Sequence, residues 1–143
     1  MSQFINDSKG NPITFIVIDD DETDREFIVR GLKKSDVGNS VIEFKDGLEA
    51  LPVIEKELSD SGKTFLILLD LNMPQMNGVE FLNRLKGHKV HDNAMIFAFT
   101  TSSETQDVIK TNELGVRGFF NKFDVSNDIE DFLNSLKRHA AVL

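Results

Sequence analysis

The chain has 143 residues, 40% of them hydrophobic, and its 16 Lys and Arg against 24 Asp and Glu give a formal net charge of -8. This length suits one domain, the acidic balance argues against binding nucleic acid, and the lack of cysteine excludes disulfides, thiolate metal sites and cysteine nucleophiles. Because no secretory signal and no apolar run of about 18 residues is present, we expect a cytoplasmic protein that does not bind membranes.

Short apolar runs alternate with segments of helical period, which is typical of parallel βα units. The candidate strands, in chain order, are residues 13–18, 40–44, 64–69, 94–99 and 117–120. The candidate helices are residues 22–35, 47–59, 78–86, 104–114 and 127–139. The first, third and fourth strands are nearly all apolar, which predicts central positions covered by helices on both faces. The pattern therefore predicts an α/β fold, a (βα)5 doubly wound parallel sheet of five strands.

Two local features complicate this pattern. The first eleven residues are mostly polar, with Met1, Phe4 and Ile5 as the exceptions, so we expect residues 1–12 to form a loose arm before a single domain over residues 13–143. Pro52 lies inside the second candidate helix and lacks an amide donor. It predicts either a kink in that helix or a later start.

Polar side chains follow four of the apolar runs, where ligand sites lie in open parallel α/β sheets. They are Asp19-Asp20-Asp21, Asp70, Thr100-Thr101-Ser102 and Asn121-Lys122. Adjacent parallel strands bring these ends together, so we expect three carboxylates, a hydroxyl and an ammonium group around one crevice. Asp21 and Glu22 are explained as well by the start of a helix, and Thr101 and Ser102 by a loop or cap.

Clustered carboxylates repel each other and either retain a proton or recruit a cation. A site with few oxygen ligands, leaving space for water and phosphate oxygens, favours Mg2+ over Ca2+. A carboxylate beside Mg2+ can attack phosphorus and form an aspartyl phosphate. Thr100 and Lys122 would then supply a hydroxyl donor and a positive charge to the phosphoryl oxygens. The pattern indicates a phosphoryl acceptor.

Four stretches together resemble the receiver domain of two-component response regulators. They are Asp19-Asp20 after an apolar strand, Asp70-Leu71-Asn72-Met73-Pro74-Gln75-Met76-Asn77-Gly78, Thr100-Thr101-Ser102, and Gly118-Phe119-Phe120-Asn121-Lys122. The resemblance extends over residues 13–139 and implies a flavodoxin-like strand order, 2-1-3-4-5. Within the family, the chain looks most like the small stand-alone regulators that partner bacterial phytochromes, which have no output domain.

The resemblance implies a role for each acidic residue of the crevice. Asp70 would be phosphorylated by a histidine kinase or a histidine phosphotransfer protein. Asp20 would bind Mg2+ directly and Asp19 directly or through water. Asp70 and the backbone carbonyl of Asn72 would complete the protein ligands.

It also implies roles for residues near the ends of the last two strands. Thr100 would move toward the phosphoryl group with Thr101 beside it, Phe119 would be the aromatic residue that follows this movement, and Lys122 would pair with the phosphate. Receivers usually place proline in a cis peptide after the lysine, but this chain has Phe123. Because a cis bond before another residue costs about 2.5–4 kcal/mol, the loop is either trans or strained.

The function predicted from the sequence is a phospho-accepting switch that signals through contact with a downstream protein, not an enzyme that turns over an external metabolite. A homodimer through the fourth helix, fifth strand and fifth helix is one form such contact can take. Two alternatives remain. An aspartate-nucleophile phosphatase needs a general acid two residues after the nucleophile, which Asn72 cannot provide. A pseudo-receiver, never phosphorylated, is suggested by Phe123 and Pro52.

Overall fold

The structure is a computed structural model that describes residues 6, 7, 9–34, 39–58, 63–71, 73, 76, 78–86, 94–100, 115–121 and 134. Within these residues the elements are β1 (Thr14–Ile18), α1 (Glu22–Lys34), β2 (Val41–Phe44), α2 (Gly47–Val53), a π-helical segment (Ile54–Leu58), β3 (Phe65–Asp70), α3 (Gly78–Leu85), β4 (Ala94–Thr100) and β5 (Val116–Asn121). The predicted fourth helix lies outside the described residues, as does the predicted fifth helix except for residue 134, which is helical. None of the helices described is both long and apolar enough to cross a membrane.

The five strands form one parallel sheet in the order β2-β1-β3-β4-β5. This confirms the predicted flavodoxin-like order and the central positions of β1, β3 and β4. These inner strands are buried because helices have to cover both faces of a parallel sheet. The strand bounds differ from the predicted ones by a single residue at one or both ends.

Alternate residues of each inner strand enter two separate cores, as the two-residue period of a strand requires. Ile28, Val29 and Leu32 of α1 cover one face. α2, the π-helical segment and α3 cover the other face, with Leu51, Ile54, Phe81, Leu82 and Leu85 among the buried residues. The register of the parallel pairs places the carboxyl ends of the three inner strands at one level.

The predicted helix over residues 47–59 divides at Ile54 into α2 and the π-helical segment, so of the two outcomes predicted for Pro52 the structure shows an interruption within the helix. Asp46 caps α2 by accepting a 2.8 Å hydrogen bond from the N–H of Glu49, so Pro52 does not delay the start of the helix. Pro52 has no N–H to donate to the preceding turn. The α-helical pattern ends at Val53, one residue later, and a π-helical turn follows.

The described part of the predicted loose arm differs from the expectation, since residues 6, 7 and 9–12 form a closed turn. Asp7 accepts hydrogen bonds from the N–H groups of Lys9 and Asn11 at 2.9 Å, and Asn6 forms an antiparallel bridge with Pro12. The hydroxyl of Thr64 donates to the other carboxylate oxygen of Asp7 at 2.9 Å. The polar residues of this segment therefore form a hydrogen-bonded turn, and the bond from Thr64 attaches that turn to the chain just before β3.

Candidate functional site

The register of the inner strands brings the predicted acidic residues to one edge of the sheet. Ile18 of β1 pairs with Leu69 of β3, so Asp19 and Asp70 follow at the same level on neighbouring strands. Each of the three carboxylates of Asp19, Asp20 and Asp70 has an oxygen within 4.8 Å of the corresponding oxygens of the other two. This confirms the predicted gathering of three carboxylates at the carboxyl end of the sheet.

Burial differs among the three carboxylates. Asp19 is 1% and Asp70 2% exposed, whereas Asp20 is exposed. Two unit negative charges 4.8 Å apart repel by about 3 kcal/mol at an effective dielectric constant of about 20. This repulsion favours either a retained proton or a nearby cation, and a cation that binds here can be approached from the solvent on the Asp20 side.

The main chain and the side chain of Asp19 are both held in place. Its N–H donates to the carbonyl of Phe44 on β2 at 3.2 Å, and its Oδ1 accepts from the N–H of Asp21 at 3.0 Å. Its Oδ2 is buried and accepts no hydrogen bond from the residues described. The carbonyl oxygen of Asp19 accepts a 2.7 Å hydrogen bond from Nη1 of Arg25.

Asp21 serves the start of α1. Its Oδ1 accepts a 3.0 Å hydrogen bond from the N–H of Asp24, three residues later, which is the geometry of an N-cap. This separates the acidic triplet by role: Asp21 caps a helix, as its alternative interpretation predicts, while Asp19 and Asp20 face Asp70.

Buried apolar side chains anchor the segment after Asp70. Leu71, Met73 and Met76 are each 4–6% exposed and belong to the core under α2 and α3. The N–H of Gly78, which begins α3, donates to the carbonyl of Leu71 at 3.1 Å. The apolar residues of this segment therefore have a packing role, because they hold the end of β3 against the core.

The other predicted site residues are described to different extents. Thr100 ends β4, one residue beyond the level of Asp70, and pairs in register with Asn121 of β5. Phe119 is half-buried and packs against the core under α2 and α3, while the next residue, Phe120, packs against Phe97 and Phe99 on the opposite face. Asn72, Thr101, Lys122 and the Lys122-Phe123 peptide lie outside the described residues.

Two residues that the sequence interpretation did not identify shape this site. Arg25 contacts the Asp19 carbonyl from α1, and Gly78 permits α3 to begin close to Leu71. A Cβ on Gly78 would lie 2.5 Å from Leu71 Cδ2 and 2.9 Å from Leu71 Cα. The sequence signal for Gly78 is its place at the end of the motif after Asp70, whereas Arg25 has no signal beyond its position six residues after Asp19.

Oxygen-only ligands at this spacing fit a hard divalent cation. Oxygens on opposite sides of Mg2+ or Ca2+ are about 4–5 Å apart, twice the metal–oxygen distance, and the cluster separations lie within 4.8 Å. The residues present are therefore compatible with such a cation in both ligand chemistry and spacing.

Comparison with known proteins gives consistent results. The family model of the response regulator receiver domain matches residues 15–134. The chain is 28% identical over 135 residues to response regulator Rcp1 of Synechocystis sp., which covers 93% of this chain and 90% of that protein.

Two solved structures are similar in both fold and sequence. The Mn2+-bound form of response regulator Rcp1 is 26% identical with a TM-score of 0.67, over 88% of this chain and 90% of that one. The phosphorylated cyanobacterial phytochrome response regulator RcpA is 26% identical with a TM-score of 0.70, over 87% of this chain and 95% of that one.

Proposed function

Because the chain belongs to the response regulator receiver domain family of two-component signalling, we propose that it is a switch in which Asp70 accepts a phosphoryl group in a Mg2+-dependent reaction. The observation that carries the proposal is the carboxylate cluster at the end of β1 and β3, whose oxygens lie within 4.8 Å of one another. Two similar proteins, one solved with bound Mn2+ and one phosphorylated, support the same chemistry.

Asp19, Asp20 and Asp70 would hold the cation, with the backbone carbonyl of Asn72 as a further ligand. When bound, Mg2+ would balance the negative charge of the carboxylates and of the phosphoryl oxygens. Burial of Asp19 and Asp70 supports this assignment, because two carboxylates removed from water are costly without a counter-charge. Exposure of Asp20 leaves the cation and the phosphoryl donor a route from solvent.

Asp70 would act as the nucleophile. A carboxylate oxygen forms a bond to phosphorus while the phosphorus–nitrogen bond of a phosphohistidine breaks, and the departing imidazole takes up a proton from solvent. Thr100, Thr101 and Lys122 are proposed to bind the phosphoryl oxygens. The backbone of Asp70 suits a nucleophile, because its strand pairs on both sides and the following segment is anchored in the core.

The proposed output is a population shift of a two-state surface rather than turnover of an external substrate. Thr100 and Phe119 lie near the ends of neighbouring strands β4 and β5, so movement at Thr100 can reach the packing of Phe119. The proposed partners are a histidine kinase or histidine phosphotransfer protein and a downstream protein or second copy of this chain. The likeness to the cyanobacterial phytochrome response regulator RcpA suggests that the kinase is of the phytochrome type. The proposed location is the cytoplasm.

Intact-mass spectrometry tests the proposal directly. The protein is incubated with acetyl phosphate, with and without Mg2+, and the wild type is compared with Asp70→Asn. We expect one labile phosphate that needs both Mg2+ and Asp70. The absence of any adduct would instead support a phosphorylation-independent pseudo-receiver, and continued hydrolysis of unrelated phosphoesters would support a phosphatase.

A further inference from the structure

Arg25 links α1 to the two strands at the acidic edge of the sheet. Its Nη1 donates to the carbonyl oxygen of Asp19 at 2.7 Å, and its Nε lies 3.5 Å from Oε1 of Glu43 on β2. The Arg25 side chain is 17% exposed, against 43% for Glu43. The guanidinium group is therefore largely covered and is oriented by contacts at two of its nitrogens.

The carbonyl that Arg25 contacts belongs to the peptide group joining Asp19 to Asp20. Because a peptide group is planar, fixing its oxygen also fixes the direction in which the main chain enters Asp20. This matters more for Asp20 than for its neighbours, since Asp19 and Asp70 are buried and Asp20 is exposed. Packing restrains the first two carboxylates, and the peptide group that Arg25 holds contributes to the orientation of Asp20.

We propose that Arg25 is a positioning residue for the divalent cation site, and that its hydrogen bond to the Asp19 carbonyl keeps Asp20 directed toward Asp19 and Asp70. This inference rests on the proposed function of the same site. The positive charge of Arg25 acts in the opposite direction, because it repels a cation. Removing Arg25 therefore weakens cation binding if positioning dominates and strengthens it if charge dominates.

The direct test measures Mn2+ binding to the full chain from the electron paramagnetic resonance signal of free Mn2+, with Mg2+ added as a competitor. For Arg25→Met we expect binding about 10-fold weaker, the scale of one hydrogen bond to a charged group. The matched control is Arg30→Met, which removes the same charge from an exposed position of α1. The control should retain binding within about 2-fold of wild type, as expected for a solvent-screened charge.

A double-mutant cycle shows whether Arg25 acts through Asp20. If it does, Arg25→Met should weaken Mn2+ binding much less in an Asp20→Asn background than in the wild type, because the residue it positions is already lost. A purely structural weakening of the fold would have the same effect in both backgrounds. Equal losses in the two backgrounds would overturn the proposed action through Asp20.

Arg25→Lys keeps the test decisive if Arg25→Met does not fold. Lysine keeps the repulsive charge and can donate a hydrogen bond, but it lacks the planar fork that contacts both the Asp19 carbonyl and Glu43, so we expect Mn2+ binding weaker than in the wild type. Wild-type or tighter affinity in Arg25→Met, or in Arg25→Lys where only that variant folds, would overturn the positioning role. Failure of the wild type itself to bind Mn2+ or Mg2+ would instead refute the proposed function and, with it, the role of Arg25.

Discussion

Replacing Gly78 by alanine tests how closely α3 must approach the segment after Asp70. The added Cβ would meet Leu71 Cα at 2.9 Å and Leu71 Cδ2 at 2.5 Å. Leu71 is buried and its Cα is a backbone atom, so the contact cannot be relieved by a change of rotamer alone. Either α3 or the end of β3 has to move.

Opposing effects set the size of the loss. Overpacking of a buried site costs about 1–3 kcal/mol, and weakening the 3.1 Å hydrogen bond from Gly78 N–H to Leu71 costs about 0.5–1.5 kcal/mol more. Replacing glycine by alanine lowers the entropy of the unfolded chain and returns about 0.4–1 kcal/mol. The steric terms prevail, so we expect the free energy of unfolding to fall by about 2 kcal/mol.

Urea denaturation followed by far-ultraviolet circular dichroism measures this loss, with Gly47→Ala as the matched control. A Cβ on Gly47 would meet only side-chain atoms, Met76 Sδ at 3.1 Å and Phe81 Cδ2 at 3.2 Å. Methionine adapts readily to such contacts, so we expect a loss below about 1 kcal/mol for the control. Stability equal to wild type in Gly78→Ala, or a loss no larger than that of Gly47→Ala, would refute the reasoning.

Three further predictions concern the cation, the amino-terminal turn and the aromatic residue on β5. Mg2+ at ten times its dissociation constant should raise the free energy of unfolding of the wild type by about 1.4 kcal/mol in urea titrations, and of Asp70→Asn by much less. Hydrogen bonds, first that from the N–H of Asn11 and then that from Thr64, hold the pKa of Asp7 below its ordinary value of 3.8 in spite of desolvation. The Asp7 carboxylate therefore contributes its full stabilisation above pH 3.8, and this stabilisation is lost as the pH falls through the lower pKa of the folded state. Urea midpoints measured over this pH range test the loss. Phe119→Ala should lower the free energy of unfolding by about 1–3 kcal/mol, less than a fully buried phenylalanine would, while Mn2+ affinity stays unchanged.

Each of these predictions has its own control. Chelation of Mg2+ should return the wild type to its metal-free stability, and equal stabilisation of Asp70→Asn would show that the ion binds elsewhere. Asp7→Asn should remove part of the acid sensitivity of the wild type, so identical pH profiles for the two would contradict the role of that turn. A loss of Mn2+ affinity in Phe119→Ala would mean that the aromatic residue supports the acidic cluster and not only the core.

The fold was predictable because its strongest determinants are local. Apolar runs of strand length identify β1, β3 and β4, and their nearly unbroken hydrophobicity indicates burial on both faces. Helix interruption at Pro52 was harder to predict, since a missing N–H permits several local solutions. The turn around Asp7 depends on Thr64, a residue 57 positions away in sequence, and therefore has no local signature.

The acidic cluster was predictable for a topological reason, because residues that directly follow neighbouring parallel strands meet at one edge. The contacts that orient the cluster could not be predicted from the sequence. Arg25 reaches a backbone carbonyl, which carries no residue identity, and the need for glycine at position 78 arises only when α3 packs against Leu71. Such requirements appear once the chain is folded and cannot be derived from residue type alone.

The most direct test of the central claim is to locate the phosphoryl group. The protein is phosphorylated with acetyl phosphate in Mg2+, the acyl phosphate is reduced with borohydride, and the peptides are sequenced by mass spectrometry. We predict homoserine at position 70 and unmodified aspartate at positions 19 and 20, with no conversion when Mg2+ is omitted. Conversion of Asp19 or Asp20 in place of Asp70, or of none of the three, would contradict the assignment of Asp70 as the phosphoryl acceptor.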